Sequence, residues 1–476
     1  MRNRIDLVLS FVGLAVAAAF LTPGIGAQPA ASRHETVAGP RSVPPAELTP
    51  WPSPAAAGSL APQLAVSPDG RVYLSWLEPA ASGIMRFRLA ERTADSWNQL
   101  PDIADGTGLF ANWADVPSVF AAGNGTLVAH WLQRTGTGTY AYGIRMRASA
   151  DRGRTWSATV SPHRDESPTE HGFLSFFDAP DGAIGMVWLD GRETAAASSA
   201  GGGHGHGGGG AMTLRATTFG SGLTLGPDVL VDGRVCDCCP TAAIRTGRGA
   251  IIAYRDRSDR EVRDIGIARL EGGAWKPGGV IHADDWTIAG CPVNGPALAA
   301  AGDTVALAWF TAAGDQGRAH LALSRDGGAS FGAPVRVDDG GSMGRVDVEV
   351  LPDGSAVVVW IEFANAKAEL RMRRVWPDGR RGPSVVVSGV TADRSSGNPR
   401  LVRNGHDLVL AWRASGPTPQ IHVAAAKVPP GGGVSREAGP YSIPSISPRS
   451  FARPVERLFR MNDSRPMKST CTSPKG

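Results

Sequence analysis

The sequence predicts an all-β fold, a seven-bladed β-propeller of four-stranded antiparallel blades. Three observations predict it. An apolar strand with Trp or Tyr near its end recurs seven times, at residues 72–76, 127–131, 183–188, 250–254, 305–309, 356–360 and 408–412. The aromatic positions are 55, 57, 66, 55, 51 and 52 residues apart. A turn signal stands before each copy. Repeats of this length built from short strands mark a propeller. A single copy cannot bury both faces of its small sheet, so the copies must pack radially.

Each repeat reads as four strands. The first is short and apolar and often follows Pro, as at Pro62, Pro117, Pro240, Pro296 and Pro399; Gly172 and Asp347 hold that place in repeats three and six. A tight turn follows, such as Pro68-Asp69-Gly70, Asn124-Gly125 or Pro352-Asp353-Gly354. These residues supply the preset and positive φ angles that a hairpin needs. The aromatic strand is second. The third opens with Arg in several copies, as at Arg86, Arg145 and Arg371. A stretch within residues 34–50 is expected to complete the last blade and close the ring.

After strand three, two repeats carry Ser149-Ala150-Asp151-Arg152-Gly153-Arg154-Thr155-Trp156 and Ser324-Arg325-Asp326-Gly327-Gly328-Ala329-Ser330-Phe331. An Asx-type turn there bonds its own backbone, and the aromatic fills the space between sheets. With these turns the chain resembles the sialidase-like, Asp-box (BNR repeat) β-propeller superfamily over residues 60–430. Sialidases of that superfamily have six blades, so a six-bladed sialidase-type ring is the alternative. The resemblance implies an exo-acting glycoside hydrolase with three Arg on a substrate carboxylate, a Tyr–Glu nucleophile pair and an Asp acid/base. The superfamily also holds non-catalytic members. Ala61-Pro62-Gln63 stands where its Arg-Ile-Pro segment belongs, so no catalytic residue carries over.

The remaining segments flank the seven repeats. Residues 1–30 combine Arg2 and Arg4, an apolar run and small-residue cleavage sites, the pattern of a signal peptide. This predicts a secreted or periplasmic protein, not integral to the membrane after cleavage. Residues 31–58 form an N-terminal segment, 59–435 the propeller and 436–476 an irregular polar tail. Basic and acidic residues number 48 and 44, with no basic stripe, which argues against nucleic acid. A monomer is expected.

Strand alternation places the start of strand one and the loop from strand two to three on one rim. Loops there converge on the channel, where propellers bind ligands. The candidate ligand-binding residues are Asp115, His171, Arg192, Arg255, Arg257, Arg345 and Asn398. Candidate carboxylates for acid–base work sit two residues past the strand-two aromatics, namely Asp190, Asp256 and Glu362. Cross-strand pairing with Arg is the alternative for these. Cys236, Cys238 and Cys239 precede repeat four and Cys291 precedes repeat five. In an exported protein they read as disulfides, but adjacent cysteines fit the relaxed cross-link poorly. The alternative is a soft metal, zinc or copper. His204 and His206 in a glycine-rich loop add a weaker metal signal.

The expected function is therefore an exported, sialidase-like propeller binding a glycan or small polar ligand at its rim. The alternatives are a glycoside hydrolase, a metal-binding propeller using the cysteines, and a protein-interaction scaffold.

Overall fold

A computed structural model describes residues 47–194, 210–220, 222–414 and 418–427. Residues 1–30, the His204–His206 loop and the tail from 436 lie outside the described residues. Among the described residues there is no α-helix, only short 3-10 turns, and no helix long and apolar enough to cross a membrane.

Seven antiparallel sheets form, one per repeat. Blade 1 runs Leu60–Val66, Val72–Pro79, Met85–Arg92 and Trp97–Gln99; blade 3 runs His171–Asp178, Ile184–Asp190, Thr213–Phe219 and Val229–Asp232. Blades 4, 5 and 6 repeat this order from Ala242–Thr246, Ala297–Ala301 and Ser342–Val350. Blade 2 begins at Ser118–Ala121 and keeps three full strands. Its fourth is reduced to a bridge between Met146 and Val160. Blade 7 takes Arg400–Asn404, Asp407–Ala414 and Gln420–Lys427, and its outer strand is Glu47–Trp51 from the other end of the chain. That exchange gives blade 7 its fourth strand and ties the two ends of the propeller chain together.

The strand-two aromatics are equivalent and buried, from Trp76 to Trp412. Opposite each stands a polar or small residue of strand three: Arg88, Arg145, Arg215 and Arg371 face Trp76, Trp131, Trp188 and Trp360. His320 and His422 face Trp309 and Trp412. The apolar faces of neighbouring sheets meet in shared clusters, such as Val187 and Leu189 of blade 3 with Ile252 and Tyr254 of blade 4. Each blade thus finds its core in its neighbours.

The two Ser-x-Asp-x-Gly turns share one set of hydrogen bonds. Asp151 accepts the Thr155 amide at 2.8 Å and Ser149 accepts the Gly153 amide at 2.8 Å. Asp326, Ser330, Ser324 and Gly328 repeat this.

Candidate functional site

The starts of all seven inner strands converge on one central cavity of about 300 Å³, lined among others by Gln63, Asp115, Arg345, Asp347, Asn398 and Arg400. The convergence is built by a repeated distortion. In blades 1, 3 and 6 the pairing of strands one and two slips by one residue, between Leu60 and Gln63, Gly172 and Ser175, and Gly344 and Asp347. Each bulge holds a non-glycine residue at positive φ: Ala61 at 55°, Phe173 at 52° and Arg345 at 57°. A bulge re-aims the side chains after it, and such strain concentrates at functional sites.

Two of these bulges are stapled by the preceding blade. Asp115 Oδ1 accepts the Phe173 amide at 2.8 Å, and Asn294 Oδ1 accepts the Arg345 amide at 2.8 Å. Both acceptors lie two residues before a Pro that leads into strand one. The staples need the glycine beside each bulge. A Cβ on Gly172 would lie 1.9 Å from Asp115 Oδ2, and one on Gly344 would lie 2.2 Å from Asn294 Oδ1.

Asp115 and Asn294 differ in what is left over. The Asn294 amide donates to the Pro292 carbonyl at 3.2 Å. Asp115 Oδ2 is buried without a hydrogen bond. The nearby Tyr142 hydroxyl lowers the Asp115 pKa somewhat, but its own hydrogen bond goes to Glu170. Burial pushes Asp115 up to about 7 and Glu170 up to about 8, the latter reinforced by the charge of Asp115. Tyr142 is fully buried and stacked on Phe110 with ring centroids 4.4 Å apart. Two carboxyls and a phenol between blades 2 and 3 thus hold protons near neutral pH.

Arg345 is buried in the rim. Its guanidinium donates to Ser396 Oγ and, at 3.0 Å, to the Asp393 carbonyl. It lies 5.1 Å from the Trp113 ring centroid. Burial draws its pKa down to about 10. Asn398 reaches the Trp113 carbonyl at 3.5 Å. Asp115, Arg345 and Asn398 therefore share the cavity.

The other sequence candidates sit elsewhere. His171 is buried against Asp165 at 3.0 Å and Asp190 at 3.6 Å, stacked on His163. Arg192 is held by Asp190 and Asp228. Arg255 donates to the carbonyls of Asn294, Arg263 and Phe310. Arg257 pairs with Asp237 and Glu261. Asp190 and Glu362 accept the indole N–H of Trp188 and Trp360, each at 2.8 Å. Asp256 accepts the Arg257 amide at 2.7 Å, and burial raises its pKa. The structure does not bring these three carboxylates together; each stays in its own blade.

The cysteines do meet. The sulfurs of Cys236, Cys238 and Cys239 lie within 4.8 Å of one another, with Cys236 and Cys239 at 3.1 Å. Cys291, from the loop between blades 4 and 5, is exposed and faces Cys238, which lowers its pKa, but it stands outside the close group of three sulfurs. All four are free. Arg263 donates to Cys236 Sγ at 3.3 Å and is fully buried. Burial opposes ionisation of Cys236, but hydrogen bonds from Cys238 and Cys239 and the charge of Arg255 hold its pKa well below the ordinary thiol range. Arg263 also bonds Glu261. Sequence reading missed the Asp115–Tyr142–Glu170 grouping, though all three stood on the expected rim. Their only sequence signal was a shared place near the start of strand one or in a strand two-to-three loop.

No protein-family model matches the chain, and no curated protein matches it. Solved structures of low similarity exist. A protein of unknown function from Dyadobacter fermentans is 12% identical, with 81% of this chain and 100% of that one covered and a TM-score of 0.45. An α-L-arabinanase from Penicillium chrysogenum is 13% identical, covering 80% and 98%, with a TM-score of 0.42. The Hadza microbial sialidase Hz136 is 13% identical, covering 75% and 76%, with a TM-score of 0.43. Similarity this distant assigns no function to the chain.

Proposed function

We propose that the central cavity binds a small, hydroxyl-rich ligand, a single sugar residue of a glycan or a molecule like it. One observation carries this reading. Asn294 shows that a neutral amide suffices for the staple, yet blade 2 uses a carboxyl whose second oxygen is buried without a partner. Leaving such an atom unpaired costs about 1–3 kcal/mol. A ligand hydroxyl would supply the missing bond, and Asp115 borders the cavity. The volume, about 300 Å³, sits at the small end of the roughly 300–1,000 Å³ typical of ligand sites. Arg345, Asp347 and Asn398 add donors and acceptors of both charge signs, which suits a polyol better than a simple ion.

The test is a binding screen of monosaccharides and glycan fragments by ligand-observed NMR. Asp115→Asn should fold normally, because Asn294 holds the equivalent place. Its affinity for the ligand found should fall by about tenfold, the worth of one buried hydrogen bond. Unchanged binding in Asp115→Asn, or no binder at millimolar concentration, would overturn the reading.

A second reading, glycoside hydrolysis at the same place, is favoured by the Tyr142–Glu170 bond beside Asp115. Carboxyls poised near neutral pH suit proton transfer. Tyr142 and Asp115 are both buried, so in this arrangement the half-buried Glu170 is the group placed to exchange protons. Hydrolysis of aryl glycosides, abolished in Glu170→Gln while sugar binding persists, would establish it.

A further inference from the structure

We infer that Cys236, Cys238, Cys239 and Cys291 form a binding site for one soft d¹⁰ metal cation, Zn²⁺ or Cu⁺, held between blades 4 and 5. The inference is independent of the sugar reading, since it uses none of the residues proposed to meet that ligand.

Geometry comes first. Four sulfurs 2.3 Å from a common Zn²⁺ stand about 3.8 Å from one another. Three of the sulfurs here already lie within 4.8 Å of one another. Cys291 adjoins Cys238 from a different loop, so the four come from two chain segments, as closed structural sites do. The competing arrangement is a pair of disulfides, Cys236–Cys239 and Cys238–Cys291, since no other pairing avoids a strained link. Adjacent and next-nearest cysteines do not reach relaxed cross-link geometry.

Charge comes second. Arg263 is fully buried with one nitrogen on Cys236 Sγ, and Arg255 is nearly so. Buried guanidinium groups need anionic partners. Glu261 supplies part of this for Arg263. Thiolates bound to a metal would supply the rest, since a Zn²⁺ with four thiolates is itself a dianion. The donor set is all sulfur, which selects soft ions over magnesium, calcium or manganese.

The two ions would use the site differently. Zn²⁺ favours four ligands and would need Cys291. Cu⁺ is satisfied by the three mutually close sulfurs.

The test uses the full chain, reduced and purified anaerobically without chelators. Elemental analysis and thiol titration are made before and after adding Zn²⁺ or Cu⁺ in competition with a chromophoric chelator. One equivalent of metal should bind and protect the thiols from a disulfide reagent. Cys291→Ser, at an exposed position, should weaken Zn²⁺ by about tenfold or more and leave Cu⁺ nearly unchanged if three sulfurs hold it. Cys238→Ser should weaken both; should that variant not fold, the wild-type uptake and the Cys291→Ser pair still decide. Four reactive thiols that take up neither ion would overturn the inference. So would a Cys236–Cys239 disulfide, seen as a loss of two hydrogens in the chain mass, that persists in exported protein.

Discussion

Trp188 and Asp190 leave the same face of one strand, because side chains two apart in a strand point the same way. The indole therefore donates to the carboxylate at 2.8 Å. Trp76 with Glu78 and Trp360 with Glu362 repeat this, at 2.9 Å and 2.8 Å. Arg192 completes Asp190 with two further bonds of 2.7 Å. The sequence pattern showed the register of these acids but left open whether they react or pair. The indole partner was hidden because it sits in the same short segment as the acid, where a packing aromatic was already expected. Asp190→Asn should lower the unfolding free energy by about 2–4 kcal/mol, the cost of uncoupling a buried charged bond. Urea unfolding measures it. Stability unchanged with ligand binding or hydrolysis lost would return Asp190 to the reactive class.

At the scale of the blade, the staple and the closing strand are the devices to test. Gly172→Ala puts a Cβ 1.9 Å from Asp115 Oδ2, and the carboxyl has to leave or the bulge has to open. We expect a loss of about 1–3 kcal/mol together with loss of cavity binding. Gly344→Ala should cost at least as much, since Gly344 also takes φ +75°. Thermal melts of both variants check this; wild-type melting in each would mean the staples relax freely. Closure depends on Glu47–Trp51, where Trp51 packs on Trp97 and lies 4.3 Å from the Arg92 guanidinium. Removing residues 47–51 should expose the edge of Gln420–Lys427 and make the protein aggregate on heating. The seven repeats were legible because each is local and periodic. The staples were not, because Asp115 and Phe173 are 58 residues apart and no local pattern says which rim residue meets the next blade. The cysteine meeting was legible, since both groups precede strand one in consecutive repeats. Blade 2's reduced fourth strand was not, because a lone bridge leaves no alternation to read.

At the scale of the whole molecule, the ring gathers acids into its interior. Burial raises Asp115 from 3.8 to about 7 and Glu170 from 4.5 to about 8. Glu349, on the inner strand of blade 6, rises from 4.5 to about 8 through burial and the charge of Asp347. A carboxyl with a raised folded pKa keeps its proton when the unfolded chain has released it. Between roughly pH 4 and 8 these carboxyls therefore hold more protons in the folded state, and their contribution to the unfolding free energy falls as pH rises. The stabilisation is complete below the unfolded values and gone above the folded ones. Glu261 works the other way: Arg257 and Arg263 hold it down to about 2, so its contribution is lost as pH falls below about 4. His130 and His163, whose pKa burial draws down to about 3 and 4, also gain stability as pH rises to about 6.5, so maximum stability falls near neutrality. Urea midpoints should decline from about pH 7 to 8, above the range in which the histidines of the unfolded chain titrate. Glu349→Gln, outside the proposed ligand site, should flatten that decline without affecting sugar binding. A midpoint that instead rises from pH 7 to 8 would mean that the channel carboxyls are ionised and paired in the folded protein, and Asp115 would then lose its claim to an unsatisfied oxygen.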